Sequence, residues 1–177
     1  FVGLPVKGDV VVARRSDMRS RHEGSYWIGT FEPKRSDVSQ GTLTSAAFPV
    51  TAPFASFLLG GGRQEGIALE ILDAKDGAVL YRCHGEDTED MKRVVIETSA
   101  WAGRSIQLRL KDSRSGGWGH INFDDFRWHA SKPLVAAPRS HEAAKGTGYL
   151  PDDAAKRMVV PPGFRVECLA GEPRLHQ

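Results

Sequence analysis

The chain has 177 residues and a formal net charge of +2, enough for one ordinary domain with a packed core and a tail. Its apolar and charged fractions are those of a soluble globular protein, and its basic residues are scattered among acids, so nucleic acid and anionic membrane surfaces are poor partners. No apolar run approaches the length of a membrane span.

Phe1 reads as lying inside a longer chain, so the lack of a secretory signal within these residues carries no weight. Val10–Val12 suggest a short strand and 14–23 a charged loop that includes Arg14 and Arg15. The run 26–31 reads as a strand stopped by Pro33, and Thr42–Phe48 alternates weakly. After Pro53, Phe54–Leu59 is an apolar run suited to a buried sandwich strand, ending in Gly60-Gly61-Gly62, which reads as a loop. Ile67, Leu69 and Ile71 then alternate with Ala68, Glu70 and Leu72, and Asp76-Gly77 marks a hairpin turn into Val79–Cys83. Met91–Thr98 supplies another strand and 101–104 a turn. Ile106, Leu108 and Leu110 alternate with Gln107, Arg109 and Lys111, a strand with one face buried.

The stretch 112–128 is the richest in side-chain chemistry. Gly116, Gly117 and Gly119 let the backbone pass tightly around Trp118. In the strand that follows, Ile121 and Phe123 share one face while His120, Asn122 and Asp124 share the other. Phe126 and Trp128 fall out of phase with Ile121, which predicts a bulge at Asp124-Asp125. Seven or eight short strands with no helical period predict an all-β fold: an antiparallel β-sandwich, jelly-roll-like or galactose-binding-like, with an irregular C-terminal tail.

Beyond a module at 1–130, residues 131–150 read as an Ala/Pro/Ser-rich linker and 151–177 as the truncated start of a following domain. Asp152 suits the cap of a short helix over 153–158, Pro161-Pro162 end it, and Phe164–Leu169 suits a further strand. Cys83 and Cys168 read either as two separate small apolar residues or as a disulfide pair; neither belongs to a zinc or haem-attachment pattern.

The runs 24–32 and 41–45, Phe57-Leu-Leu-Gly-Gly-Gly62 and Gly116-Gly-Trp-Gly-His-Ile-Asn-Phe-Asp-Asp125 together resemble the β-sandwich accessory domains of levanase-type enzymes of glycoside hydrolase family 32. They are similar also to a module of large secreted planctomycete-type proteins. The likeness spans roughly residues 5–130 and implies a carbohydrate-associated, exported, multidomain setting, periplasmic or extracellular. A second stretch, Met158-Val-Val-Pro-Pro-Gly-Phe-Arg-Val-Glu167 followed by 170–173, resembles the opening of the propeller in planctomycete-type membrane-bound dehydrogenases. Cys168 departs from that pattern. The resemblance implies a following propeller domain as partner, and haem c only in a domain downstream of this chain.

Trp118 is a candidate platform for a sugar ring, with His120 and Asp112 bonding its hydroxyls; the alternative is a Trp that plugs the end of the sandwich and a His120 bonded to backbone. Glu32, Asp37 and Arg63, in or beside loops, suit bidentate contacts to vicinal hydroxyls or a carboxylate, or else are solvated charge or a structural ion pair. Asp124 and Asp125 are candidate ligands of a structural calcium, unless Asp125 caps a turn or pairs with an arginine. No Gly-x-Ser-x-Gly, His-Glu-x-x-His or phosphate loop occurs. The expectation is a non-catalytic carbohydrate-binding accessory module with a glycan partner. The alternative is a structural spacer beside a haem-linked propeller dehydrogenase, with no small-molecule ligand.

Overall fold

A computed structural model of the chain describes residues 5–8 and 19–135. The expected strand at Val10–Val12, the Arg14-Arg15 pair, the linker beyond residue 135, the short helix, the Phe164–Leu169 strand and Cys168 lie outside the described residues. The chain divides into two units, Phe1–Ala137 and Pro138–Gln177, and every described residue belongs to the first.

Ten strands run through the described residues: β1 (Val6–Lys7), β2 (Tyr26–Gly29), β3 (Gly41–Thr44), β4 (Phe48–Pro49), β5 (Phe54–Gly61), β6 (Ile67–Asp73), β7 (Val79–Cys83), β8 (Thr88–Glu97), β9 (Ser105–Asp112) and β10 (Ile121–His129). They form two antiparallel sheets. One has the order β1-β2-β10-β5-β8; the other has the order β3-β9-β6-β7, with β4 also pairing β9. Apart from β1–β2, β3–β4 and the β6–β7 hairpin, each strand passes to the opposite sheet from its predecessor. That winding is the jelly-roll form of the β-sandwich.

Strand parity decides what fills the interior. Ala55, Phe57 and Leu59 of β5, Ile121 and Phe123 of β10, and Ile96 of β8 meet Ile67, Leu69 and Ile71 of β6 and Ile106, Leu108 and Leu110 of β9 in one buried cluster. The opposite parity of the first sheet carries a second, smaller cluster of Val6, Trp27, Leu58 and Met91. Trp27 is sealed there, and its indole N–H donates to the Gly8 carbonyl at 2.8 Å, holding β1 against β2. The outward side of β6 is also covered. Glu70 is completely buried, gripped by Arg82 and by Arg109, whose Nε donates at 2.6 Å.

Two local expectations change. The run from Thr42 to Phe48 is two strand pieces, because three residues (45–47) face two on β9. Ser45 carries the ladder through this irregularity: its N–H donates to the Leu108 carbonyl at 2.9 Å and its hydroxyl accepts the Leu108 N–H at 3.0 Å. Gly60 and Gly61 are not a loop but the last residues of β5, paired with Asn122 and Ile121. Glycine is needed because the chains approach so closely; a Cβ at Gly61 would overlap the His120 carbonyl, and Gly61 holds φ at +90°. The bulge expected at Asp124-Asp125 is present, since β10 shifts register between Asp124 and Arg127 while Asp125 sits at φ 53°.

The register fixes which loops meet. Asn122 pairs with Gly29, Ile121 with Gly61, Gly61 with Thr88, and Asp112 with both Gly41 and Ile67. Connections 30–40, 62–66, 84–87 and 113–120 therefore gather at one end of the sandwich.

Candidate functional site

At this end the 113–120 connection is tightened by a turn in which Gly119 N–H donates to the Gly116 carbonyl at 2.8 Å, with Trp118 in the left-handed region at φ 61°. A large residue there is uncommon, and neighbouring backbone holds it. Gly62 lies so close that a Cβ on it would overlap the Trp118 carbonyl, and its N–H donates to the His120 carbonyl at 2.9 Å.

Trp118 is half-buried, with its ring 5.5 Å from that of His120 and tilted by 34°. It is neither the freely exposed platform nor the sealed plug that the sequence offers. His120 is buried, 1% exposed, and its Nδ1 donates to Asp37 Oδ1 at 2.6 Å. Its Nε2 faces Glu89 Oε1 at 3.3 Å without the alignment of a hydrogen bond. Glu89 is sealed too, and its Oε2 accepts from Asn122 Nδ2 at 2.9 Å. Burial lowers the His120 pKa, but the Glu89 and Asp37 carboxylates outweigh it, and the net shift is upward. The role expected for His120, bonding ligand hydroxyls, is corrected: the imidazole is spent on two carboxylates inside the protein. Asp37 is likewise engaged with His120.

The other expected site residues separate. Arg63 is exposed and paired with Asp87, Nε to Oδ2 at 2.7 Å. Glu32 is buried, with its carboxylate over Gly29. Asp124 Oδ2 accepts the Glu23 N–H at 2.8 Å, and Asp125 pairs with Arg93 and Arg127. Burial raises the Asp125 pKa, but the two guanidiniums pull it below the usual carboxylate range. Calcium does not fit this pair: the carboxylates are engaged with protein donors, and no group of three His, Cys, Asp or Glu among the described residues is placed to hold a metal. Cys83 is a free thiol, pushed up to about 12 by burial against a Tyr81 hydrogen bond, and hence unreactive.

Asp112 stands differently. It is 1% exposed, and neither carboxylate oxygen completes a hydrogen bond. Burial raises its pKa; the Thr30 hydroxyl and Arg114 N–H, lying toward it, only moderate the rise. It lines a hollow of about 210 Å³ whose other walls are Thr30, Pro33, Lys34, Val38, Ser39 and Gln40. A wider hollow of about 600 Å³, formed by 73–76 and 103–105, differs in that its buried acid, Asp73, is bonded to Arg104 and the Lys75 N–H.

No protein-family model matches the chain, and no solved structure matches it. One curated protein does. Over 105 residues, 58% of the chain, it is 30% identical to ecdE of Aspergillus rugulosus, which is named as a glycosyl hydrolase. The chain spans 14% of that protein's length.

Of the residues expected at the site, the structure joins Trp118, His120 and Asp37 in one packed group and sets Asp112 at the wall of a hollow, within electrostatic reach of His120 and Asp37. The loop residues opposite Asp112 escape sequence reasoning, as do Glu89 and Asn122. One signal for the loop is available. The 30–40 connection is far longer than the roughly 4–6 residues usual between elements, and long ordered loops are often functional. Chemically, the hollow sets a hydrogen-bond acceptor, an amide, two hydroxyls and an ammonium beside the apolar surfaces of Pro33 and Val38.

Proposed function

We propose that this chain is a non-catalytic carbohydrate-binding module of an exported multidomain protein, working in the periplasm or outside the cell. The observation that carries the reading is the hollow walled by Asp112, a buried carboxylate with no completed hydrogen bond, at the loop-rich end of the sandwich. Concave sites with a few convergent polar groups among apolar surface suit small polar ligands. The resemblance to ecdE, named as a glycosyl hydrolase, supports a carbohydrate setting for the parent protein. Binding without chemistry is supported by the lining, which includes one carboxyl, whereas glycosidic hydrolysis ordinarily uses a pair. Weak affinity from a single module is raised when its parent presents several contacts at once.

A glycan array followed by isothermal titration tests this. At least one glycan is expected to bind the 177-residue chain; silence across neutral, amino and acidic glycans ends the reading. In that case the spacer reading gains, and one observation already favours it. The group of Asp37, His120, Glu89 and Asn122 is held together by its own contacts under Trp118, an arrangement that stiffens the loop end without any ligand.

A further inference from the structure

Building on the carbohydrate reading, we infer that the Asp112 hollow takes one neutral sugar ring, two of whose adjacent hydroxyls donate to the Asp112 carboxylate.

Three observations narrow the ligand to that class. The first is the state of Asp112: it is 1% exposed, faces the hollow, and neither oxygen completes a hydrogen bond. A buried acceptor left this way is costly unless a partner arrives, and the partner must be a donor. Second, the charges in the lining cancel, with one acid (Asp112) and one base (Lys34). An ammonium or a divalent cation would find a single carboxylate, where calcium wants several hard oxygens. A uronate would meet Asp112 as a like charge. A polyol fits both signs, because each hydroxyl donates and accepts: two donate to Asp112, and another oxygen accepts from Lys34 Nζ or the Gln40 amide.

The third observation is size and surface. At about 210 Å³ the hollow is below the roughly 300–1,000 Å³ that encloses drug-sized ligands, so it holds one ring and not a length of chain. Pro33 and Val38 offer apolar surface to the C–H face of that ring, and Val38 is 66% exposed. The pKa of Asp112, raised by burial and by the Asp37 carboxylate against the opposing pull of Thr30, the Arg114 N–H and His120, adds a pH signature. Because the ionised form is the better acceptor, affinity drops as pH falls through a range above that of an ordinary aspartate.

The test is titration calorimetry of the full 177-residue chain with methyl glycosides of neutral hexoses, a hexosamine, a hexuronic acid, and calcium chloride alone. A neutral glycoside is expected to bind, and Asp112→Asn, which keeps the shape but swaps one acceptor for a donor, is expected to weaken it at least about tenfold. Lys34→Ala, in the exposed loop, is expected to weaken it less while leaving the thermal midpoint unchanged, so the inference stays testable should the buried variant misfold. Binding of only the charged sugars or of calcium overturns the inference. So does glycan binding that is unchanged in both variants, and in that case the module reading survives. Absence of binding to every glycan on the array removes both.

Discussion

Gly62 shows how much one missing atom decides. Its N–H reaches the His120 carbonyl at 2.9 Å because no side chain separates it from the Trp118 carbonyl. Gly62→Ala is expected to lose about 1–3 kcal/mol of stability through forced backbone displacement. Gly117→Ala, where a Cβ meets nothing within 4 Å, is expected to be nearly neutral. Urea denaturation of the pair checks this, and equal costs would refute the close-approach argument. At the same end, His120 makes stability depend on pH. Its pKa is raised in the folded protein, so its contribution is full below the unfolded value of about 6.5 and is lost as pH rises through the higher folded value. Asp112, also raised, acts in the same direction in a more acidic range, while the lowered Glu70 and Asp125 oppose it at low pH. Thermal midpoints are expected to decline as pH rises above about 6.5, and His120→Gln is expected to flatten that decline. A decline of the same slope in the variant would assign it elsewhere.

At the scale of elements, parity made much of this fold readable. The Ile106–Leu108–Leu110 alternation is β9 with its even positions inward, and the slip at Asp124-Asp125 is a real bulge. The hairpin around Asp76-Gly77 forms between β6 and β7. Parity fails where a second layer covers a strand's outer face. Glu70 sits on the outward side of β6, yet it is fully buried because Arg82 and Arg109 from the flanking strands close over it. Burial raises its pKa, and the two guanidiniums more than reverse that. Arg109→Ala is expected to destabilise by about 1–3 kcal/mol, less than for a wholly buried pair because Arg82 remains and both guanidiniums are partly solvated. Lys111→Ala, on the same strand, is expected to stay within about 0.5 kcal/mol. Chemical denaturation separates the two, and similar losses would show that the ion pairs contribute nothing special. Gly60 and Gly61 were illegible for a related reason. Glycine signals loops by its freedom and strands by its thinness, and only the neighbouring chain tells which applies.

For the whole molecule, the division at Ala137 and Pro138 has a consequence. A chain ending at Ala137 is expected to keep the cooperative unfolding transition and the glycan affinity of the full chain. A midpoint lowered by more than about 5 °C, roughly what 1 kcal/mol produces in a domain of this size, would show that the later residues support the sandwich. The sequence by itself determined the layers, the strand phases, the bulge and the tight turn at Trp118, because each follows from local periodicity and from residues with special backbone freedom. It also singled out Asp112, but as a companion of Trp118 and His120. Tertiary structure alone decided that His120 turns inward to Asp37 and Glu89, and that Asp112 faces a hollow made by a loop some seventy residues earlier in the chain. Partners so far apart in sequence are chosen by strand register across two sheets, and no local pattern encodes that register until the whole chain has folded.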